Sequence, residues 1–197
     1  MGLKHNLNVQ SMTAPTGERE LERVVGFLLN ADFRRDSDVG WTCNCLWERD
    51  VPYVWRNNGR CNDDRFWSAF ECMVHDTGLR CDMLLHDNFA GWCRCRKVKP
   101  GRFIRVAANA DAIAFLRRYA CWGRRWSRPG AMNDNYYAVD LNRSVLMAFT
   151  HEGDFVCFSR DIGLLRAVSA SFRRKRLVSA FGGGVNLGFR RPRRSEE

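Results

Sequence analysis

The chain has 197 residues, which is long enough for one domain with a full hydrophobic core. Hydrophobic residues make up 45% of it, an ordinary share for a globular protein, and no apolar stretch is long enough to cross a bilayer. Its nine cysteines are an odd number and its N-terminus lacks the apolar run of a signal peptide, so we expect a soluble protein of a reducing compartment without a disulfide framework.

The formal net charge of +10 is concentrated in the C-terminal half of the chain. Residues 1–100 carry 14 basic and 14 acidic side chains, whereas residues 101–197 carry 18 and 8. Between Leu164 and Arg194 there are nine basic residues and no acidic one. This composition is typical of segments that meet polyanions, acidic protein surfaces or nuclear import receptors.

The N-terminal residues predict a flexible arm followed by a helix. Residues 1–15 are polar and end at Pro15, so we expect no regular structure there. A helix beginning at Thr16 or Gly17 then follows, because apolar residues recur at helical spacing and three glutamates lie near its positive N-terminus. The residues on its apolar face are Leu21, Val24, Val25, Leu28 and Leu29.

The segment 41–95 is rich in cysteine and tryptophan, with seven of the nine cysteines and five of the seven tryptophans. A Cys-x-Cys pair stands near each end, and two such pairs can supply the four thiolates of a structural zinc. A one-residue gap is tighter than the usual zinc spacing, so small buried thiols remain the alternative. The candidate ligands are Cys43 and Cys45, joined with Cys93 and Cys95 or with Cys61 or His86.

The same segment contains predicted regular elements. Val51–Trp55 reads as a short strand, and Asp63 or Asp64 can cap a second helix that ends at Gly78. Clean alternation from 79 to 86 predicts a half-buried strand. The residues expected on its buried face are Leu79, Cys81, Met83 and Leu85.

The second half of the chain alternates in the same way between helix and strand patterns. Arg102–Ala107 is a predicted strand, and Asn109 or Asp111 begins a third helix that ends near Gly123. Short apolar runs separated by turn residues then predict an antiparallel meander of three strands. These strands are Tyr136–Leu141, Ser144–Phe149 and Asp154–Phe158.

A last helix is expected from Ile162 to about Phe181, ended by the triple glycine that starts at Gly182. Its second half is arginine-rich, and residues 182–197 have the composition of a basic disordered tail. We therefore expect these cations to bind polyanions or to direct nuclear localisation. They are Arg173, Arg174, Lys175, Arg176, Arg190, Arg191, Arg193 and Arg194.

Together these elements predict a single α+β domain over residues 16–181, with about four helices and short, mainly antiparallel strands. Catalysis is not expected, since the chain lacks a Gly-x-Ser-x-Gly elbow, a phosphate-binding glycine loop and a His-Glu-x-x-His motif. Cys72 and His75 lie three apart on the second helix and form the one pair that resembles an activated nucleophile, but no third orienting group accompanies them.

Several landmarks resemble the adenovirus early-region-four thirty-four-kilodalton protein family, in the same order over roughly residues 40–181. Trp41 precedes the first Cys-x-Cys pair, and an aromatic helix ends in a Met-Val run before a glycine. An aliphatic-Leu-Arg segment, a Pro-x-Ala-Met turn leading into a strand pair and an arginine-rich helix follow. These landmarks are Phe70–Gly78, Ile113–Arg117, Pro129–Met132 and Ser171–Ala180.

This resemblance implies a viral early adaptor protein of the host nucleus and cytoplasm. Members of the family bind a second viral early protein and link it to a host elongin–cullin ubiquitin ligase. The resemblance also implies that Cys43 and Cys45 are a metal site and that Arg173–Arg176 act in nuclear retention. This chain differs in its shorter N-terminus, and the nearest segment to an elongin-binding box, Leu116 with Cys121, has the wrong spacing.

Two other classes of function remain open. The run Asn135–Asp140, followed by strands and His151–Asp154, is similar to the SMI1/KNR4-type interaction fold of toxin-immunity proteins, which implies an inhibitor of one protein partner. The C-terminal arginines alternatively predict a nucleic-acid-binding protein that contacts phosphates. The adaptor function implied by the resemblance to the adenovirus family is the one that we favour, with protein partners and with no membrane association.

Overall fold

The computed structural model describes residues 7–34, 42–57, 64–88, 102–119, 134–149, 154–177 and 179–182. These residues form an α+β domain in which five helices pack on a sheet of eight strands. The strands are β1 Val9–Ser11, β2 Tyr53–Asn57, β3 Met83–Asn88, β4 Arg102–Val106, β5 Asp134–Asp140, β6 Val145–Phe149, β7 Asp154–Phe158 and β8 Ala180–Gly182. The helices are α1 Ala14–Leu29, α2 Thr42–Glu48, α3 Asp64–Thr77, α4 Asn109–Tyr119 and α5 Ile162–Arg174.

The strands follow the order β1-β4-β3-β5-β6-β7-β2-β8, and every neighbouring pair is antiparallel. The predicted meander is confirmed as β5, β6 and β7 at the centre of the sheet, with Tyr137 opposite Ala148 and Ala148 opposite Val156. The two edges are formed by β1 and β8, which have three residues each. The predicted α+β class with antiparallel strands is therefore confirmed.

Helices cover the sheet on both faces. Helices α3, α4 and α5 pack on one face, which we call the three-helix face, while α1 and α2 pack on the other, the two-helix face. All five residues of β6 are consequently buried. Strands buried on both sides read as continuous apolar runs, which explains why the central strands lack the polar alternation common in antiparallel sheets.

An aromatic cluster forms the core of the three-helix face. The rings of Phe66 and Phe172 are stacked with centroids 6.0 Å apart, and the Arg56 guanidinium lies 5.6 Å from the Phe66 centroid. Aromatic pairs of this kind each contribute about 0.5–1.5 kcal/mol beyond the area that they bury. The cluster joins two helices and two strands through Phe66, Trp67, Phe70, Phe149, Phe155 and Phe172.

The buried carboxylate of Asp140 joins two chain segments at one end of the sheet. Its Oδ1 accepts hydrogen bonds from the backbone N–H groups of Asn142 and Arg143, and its Oδ2 accepts one from Arg80. Hydrogen bonds to a charged group contribute about 1.5–3 kcal/mol each. Asp82 adds a further bond by accepting from the Leu141 N–H at 3.1 Å. The β5–β6 turn is thereby held against the segment that leads into β3.

The predicted N-terminal arm is partly wrong. Val9–Ser11 pairs with β4 as an edge strand, and α1 begins at Ala14, so that Pro15 lies inside the first turn. Proline is tolerated there because the first N–H groups of a helix have no partner within it. The apolar face of α1 is as predicted, with Leu21 and Val24 among its fully buried residues.

The strand predicted from 79 to 86 is displaced. The structure begins β3 at Met83, and Leu79 and Cys81 pack on the three-helix face whereas Met83 and Leu85 pack on the two-helix face. The four residues therefore do not share a face. The irregular segment 79–81 breaks the alternation because its polar contacts to Asp140 and Asn109 replace strand pairing.

The last helix is shorter than predicted. It ends at Arg174 instead of near Phe181, and Ala180–Gly182 forms the edge strand β8 against β2. Gly182 therefore belongs to the folded domain and is not the start of the tail. Helix α2 was not predicted, whereas α3 and the start of α4 agree with the helices that were. In the described residues no helix has the length and apolar character needed to span a membrane.

Replacing Gly17 with alanine is expected to destabilise the fold. An ideal Cβ at this position of α1 would lie 2.0 Å from Cγ and 2.5 Å from Cβ of Phe103, whose ring is buried. Overpacking of this kind costs about 1–3 kcal/mol, which denaturant unfolding can measure. Gly163→Ala is the matched control, because it adds the same methyl group to a helix but its Cβ would approach only the Asp161 Oδ1, at 3.1 Å, and no aromatic ring. Equal stability of the two variants would contradict the close packing of α1 on β4.

Candidate functional site

A groove with an exposed aromatic side chain runs beside the C-terminal half of α1. Phe27 is 54% exposed and is the one large hydrophobic residue classed as exposed in the described part of the chain. Gly26 lies next to it, and Phe33 lines the groove from the segment after the helix. We call this surface the α1 groove. Its lining residues are Arg19, Glu22, Arg23, Gly26, Phe27, Asn30, Ala31, Asp32, Phe33, Arg34 and Arg160.

The end of α1 forms the floor of this groove. Asn30 adopts the left-handed conformation, with φ 55°, and its N–H donates to the Phe27 carbonyl while the N–H of Ala31 donates to that of Gly26. This pattern is a Schellman motif, which satisfies carbonyls at the helix end and turns the chain back. Phe27 is thus held beside the returning segment 31–34, on the side of α1 that faces away from the sheet.

Arginines surround the exposed ring of Phe27. Arg160 donates through Nε to the Leu28 carbonyl at 2.9 Å, and Arg23 donates to the Leu141 carbonyl at 2.9 Å. Cations near the C-terminus of a helix are stabilised by its partial negative charge. Arg34 forms an ion pair with Glu22 at 3.1 Å while its side chain remains 87% exposed. The groove therefore combines an apolar centre with a cationic border.

Sequence reasoning missed Phe27. It lies within an apolar run of α1 but outside the stripe that contacts the sheet, four residues after the exposed Arg23. A large apolar residue that departs from the periodic stripe is the signal that could have identified it, because such a residue must face solvent if the stripe faces the core.

The predicted basic cluster lies at the C-terminus of α5 and is folded. Its last helical residues are Arg173 and Arg174, and Lys175 and Arg176 complete the cap. The Arg176 backbone has φ 58°, its N–H donates to the Arg173 carbonyl, and the Leu177 N–H donates to the Phe172 carbonyl. These bonds form a second Schellman motif, with an arginine where glycine is the usual residue. We call residues 173–176 the α5 basic end.

One member of the α5 basic end is tied to a neighbouring helix. The Arg174 guanidinium forms an ion pair with Asp76 of α3, and the Ser171 hydroxyl donates to the same carboxylate oxygen at 3.2 Å. All four side chains of the α5 basic end are exposed at the surface. Arg190, Arg191, Arg193 and Arg194, the other predicted cations, lie outside the described residues.

The predicted metal ligands are described only in part. Cys61, Cys93 and Cys95 lie outside the described residues, and positions 43 and 45 both fall within α2. Positions two apart on a helix do not face each other, so helical α2 is a poor support for a zinc site that uses both. No group of three candidate metal-ligating side chains occurs among the residues that the structure describes. The zinc site stays a prediction.

Two candidate ligands whose burial the structure describes, Cys45 and His86, lie on opposite faces of the sheet. Cys45 is half-buried against the two-helix core, where desolvation raises the pKa of its thiol. His86 is buried on the other face and stacks on Tyr136 with ring centroids 4.7 Å apart. This arrangement separates Cys45 from His86, so the alternative that paired them around one ion does not fit the fold.

The thiols of Cys81 and Cys157 are not built for nucleophilic chemistry. Burial raises the pKa of Cys81 to about 12, and the nearby Asp82 and Asp140 carboxylates act in the same direction. Burial also raises the pKa of the fully buried Cys157 thiol. Both groups therefore stay protonated at neutral pH, and a protonated thiol is a weak nucleophile. In the predicted Cys72–His75 pair, His75 instead approaches Asp76, with 3.6 Å between its Nδ1 and the Asp76 Oδ1.

The chain matches no family model, no curated protein and no solved structure. The resemblance to the adenovirus family accordingly stays a prediction.

Two of the segments on which the sequence resemblances rest have structural roles. Leu116, from the nearest equivalent of an elongin-binding box, is fully buried in the core, and Tyr137 of the segment similar to immunity proteins is fully buried in β5.

Replacing Arg176 with glycine is expected to stabilise the protein relative to Arg176→Ala. Both substitutions remove the same charge from the end of α5, but only glycine adopts φ 58° without strain from a Cβ atom. The difference in unfolding free energy between the two variants should be about 1 kcal/mol, measured by urea titration. If the alanine variant proves as stable as the glycine variant, the left-handed cap is not formed at this residue.

Metal analysis tests the predicted zinc site. If Cys43 and Cys45 join Cys93 and Cys95 around zinc, the purified protein contains stoichiometric zinc, and Cys45→Ser lowers the zinc content. Cys72→Ser is the control because Cys72, another half-buried cysteine, belongs to α3 and to none of the proposed ligand sets. Elemental mass spectrometry gives the content directly. A parent protein that lacks zinc, or equal loss in both variants, would exclude this site.

Proposed function

We propose that this protein is a protein-binding adaptor that performs no catalysis of its own. The observation that carries the proposal is the presence of two exposed cationic surfaces, the α1 groove and the α5 basic end, on helices that cover opposite faces of one sheet. An adaptor must hold two partners without one blocking the other. Two recognition surfaces on opposite sides of a single packed domain meet that requirement.

The packing between these surfaces supports the proposal. Helix α1 contacts the sheet through Gly17, which lies against Phe103, while α5 contacts it through Phe172 in the aromatic cluster. Close-packed interiors of this kind resist deformation, so the two surfaces keep a constant separation. Partners bound to them would be held at a defined distance from each other, as an adaptor for enzymatic transfer between partners requires.

The resemblance to the adenovirus family supplies candidate partners. Under this proposal they are a host elongin–cullin ubiquitin ligase and a second viral early protein, and the adaptor acts in the host nucleus and cytoplasm. Leu116 cannot serve as an exposed contact for elongin because it is buried. The ligase would therefore be recruited through another surface, and the exposed ring of Phe27 is the described residue best suited to that contact.

A second candidate function is binding to nucleic acid. It is favoured by the α5 basic end, where Lys175 and Arg176 are exposed next to Arg173. Contacts to phosphate release counterions, so the logarithm of affinity for RNA or DNA would fall steeply and linearly with the logarithm of salt concentration. A third candidate, the single-partner inhibitor, predicts one dominant stoichiometric partner instead of two separable ones.

The adaptor proposal predicts that two sets of partners can be separated by mutation. Tagged protein purified from cultured host cells should carry both sets, identified by quantitative mass spectrometry. Phe27→Ser should deplete one set, and Lys175→Glu combined with Arg176→Glu should deplete the other, each by about tenfold or more. Arg174 is left unchanged because its ion pair with Asp76 joins α5 to α3.

Controls separate loss of binding from loss of folding. Both variants alter exposed side chains, so their unfolding midpoints should stay close to that of the parent, apart from a small loss of favourable helix-end charge in the α5 variant. Ala170→Ser, on the exposed side of α5, is a neutral control. Loss of all partners in either variant, or recovery of nucleic acid alone, would count against an adaptor.

A further inference from the structure

We propose that the α1 groove binds an acidic segment of a partner protein that inserts one large apolar side chain against Phe27. The inference rests on the proposed function and specifies the chemistry of one partner. Three exposed residues of α1 support it, because Arg19, Arg23 and Phe27 are each four positions apart. Residues at this spacing follow one side of a helix, and these three span about 12 Å.

Phe27 supplies the apolar anchor. The residue is 54% exposed on a helix whose other large apolar side chains are buried or half-buried. Aromatic residues in such positions are enriched among the few that dominate binding energy at protein interfaces. Phe33 widens the apolar centre of the groove from the returning segment, where it is half-buried. A side chain of the size of leucine, methionine, phenylalanine or tryptophan would fit against this pair.

The charges that border Phe27 select for an acidic partner. Four arginines and two carboxylates line the groove, which leaves a positive balance. Arg19 makes no ion pair with any residue in the described part of the chain, and the guanidinium of Arg34 remains largely exposed despite its pair with Glu22. Arginine binds carboxylates through two parallel hydrogen bonds, so aspartate and glutamate beside the apolar anchor would find matching donors.

The same groove is a poor match for nucleic acid. Glu22 and Asp32 line it, and their carboxylates would repel a phosphate backbone that passes along the arginines. Surfaces that bind nucleic acid are much more positively charged than protein interfaces in general. The α5 basic end, by contrast, contains four consecutive cations. A mixed border of arginines and carboxylates around an aromatic ring is typical of a protein contact.

Selection from a random peptide display library tests this inference even though the partner is unidentified. The purified full-length protein should enrich peptides in which aspartate or glutamate flanks one large apolar residue. Phe27→Ser should weaken binding of a synthesised enriched peptide by about tenfold or more, and Arg19→Glu should weaken it with a reduced dependence on salt. Arg166→Glu, an exposed change on α5 at the other face of the sheet, should leave the affinity unchanged.

Each other outcome overturns the inference. These outcomes are the failure to enrich any peptide, the enrichment of basic or neutral peptides, and binding that is insensitive to Phe27→Ser. A labelled single-stranded RNA provides a parallel arm, and RNA binding that depends on Phe27 and Arg19 would assign the groove to nucleic acid instead. If partners still co-purify while peptide binding ignores Phe27, this inference fails and the adaptor proposal stands. If no partner co-purifies at all, it is the proposed function that fails.

Discussion

Burial of the sheet on both faces is the constraint on which the rest of the molecule depends. The central strands have no polar face, as the fully buried β6 demonstrates, so neither layer of helices can be removed without exposing a large apolar surface. Both helix layers are therefore needed to cover the sheet, and the helix sides that face the sheet are occupied by this packing. In the described ranges of the chain, the outward sides of the helices and the connecting segments remain for recognition, and the candidate surfaces on α1 and α5 lie there. The Asp140 carboxylate completes this arrangement at one end by holding the β5–β6 turn without a buried unpaired charge.

Much of the fold could be predicted from periodicity because several elements are locally unambiguous. The stripe of α1, the aromatic helix α3 and the three-strand meander each combine a clear pattern with turn or capping residues at both ends. The failures share a physical cause, which is the override of local pattern by tertiary contacts. The irregular segment 79–81 is held by polar contacts with Asp140 and Asn109, so its alternation does not describe a strand. The end of α5 could not be located from the sequence because its cap places Arg176 in the left-handed conformation. Glycine usually occupies that position, and a glycine there would have marked the end of the helix.

The candidate site was predicted less completely than the fold. Charge alone identified the α5 basic end, since a run of four cations is visible in the sequence itself. Nothing in the spacing could reveal that Arg174 is engaged by Asp76, because the two residues are 98 positions apart and meet only through the packing of α5 on α3. Phe27 departs from the apolar stripe of α1, which is a signal of exposure, but the apolar residues close to it in the helix obscured that departure. For the cysteines, composition indicated a metal but could not anticipate that the sheet would separate Cys45 from His86.

The brevity of the outer strands has a consequence for how this molecule meets others. With three residues each, β1 and β8 offer few open backbone donors and acceptors on which a foreign strand could extend the ladder. Within the described residues, edge-to-edge pairing of two copies, or of one copy with a partner strand, would therefore form few main-chain hydrogen bonds. Under the proposed function, discrimination between partners would rest on side-chain chemistry on the helical exterior, where single substitutions can change it while the packed sheet and core stay intact.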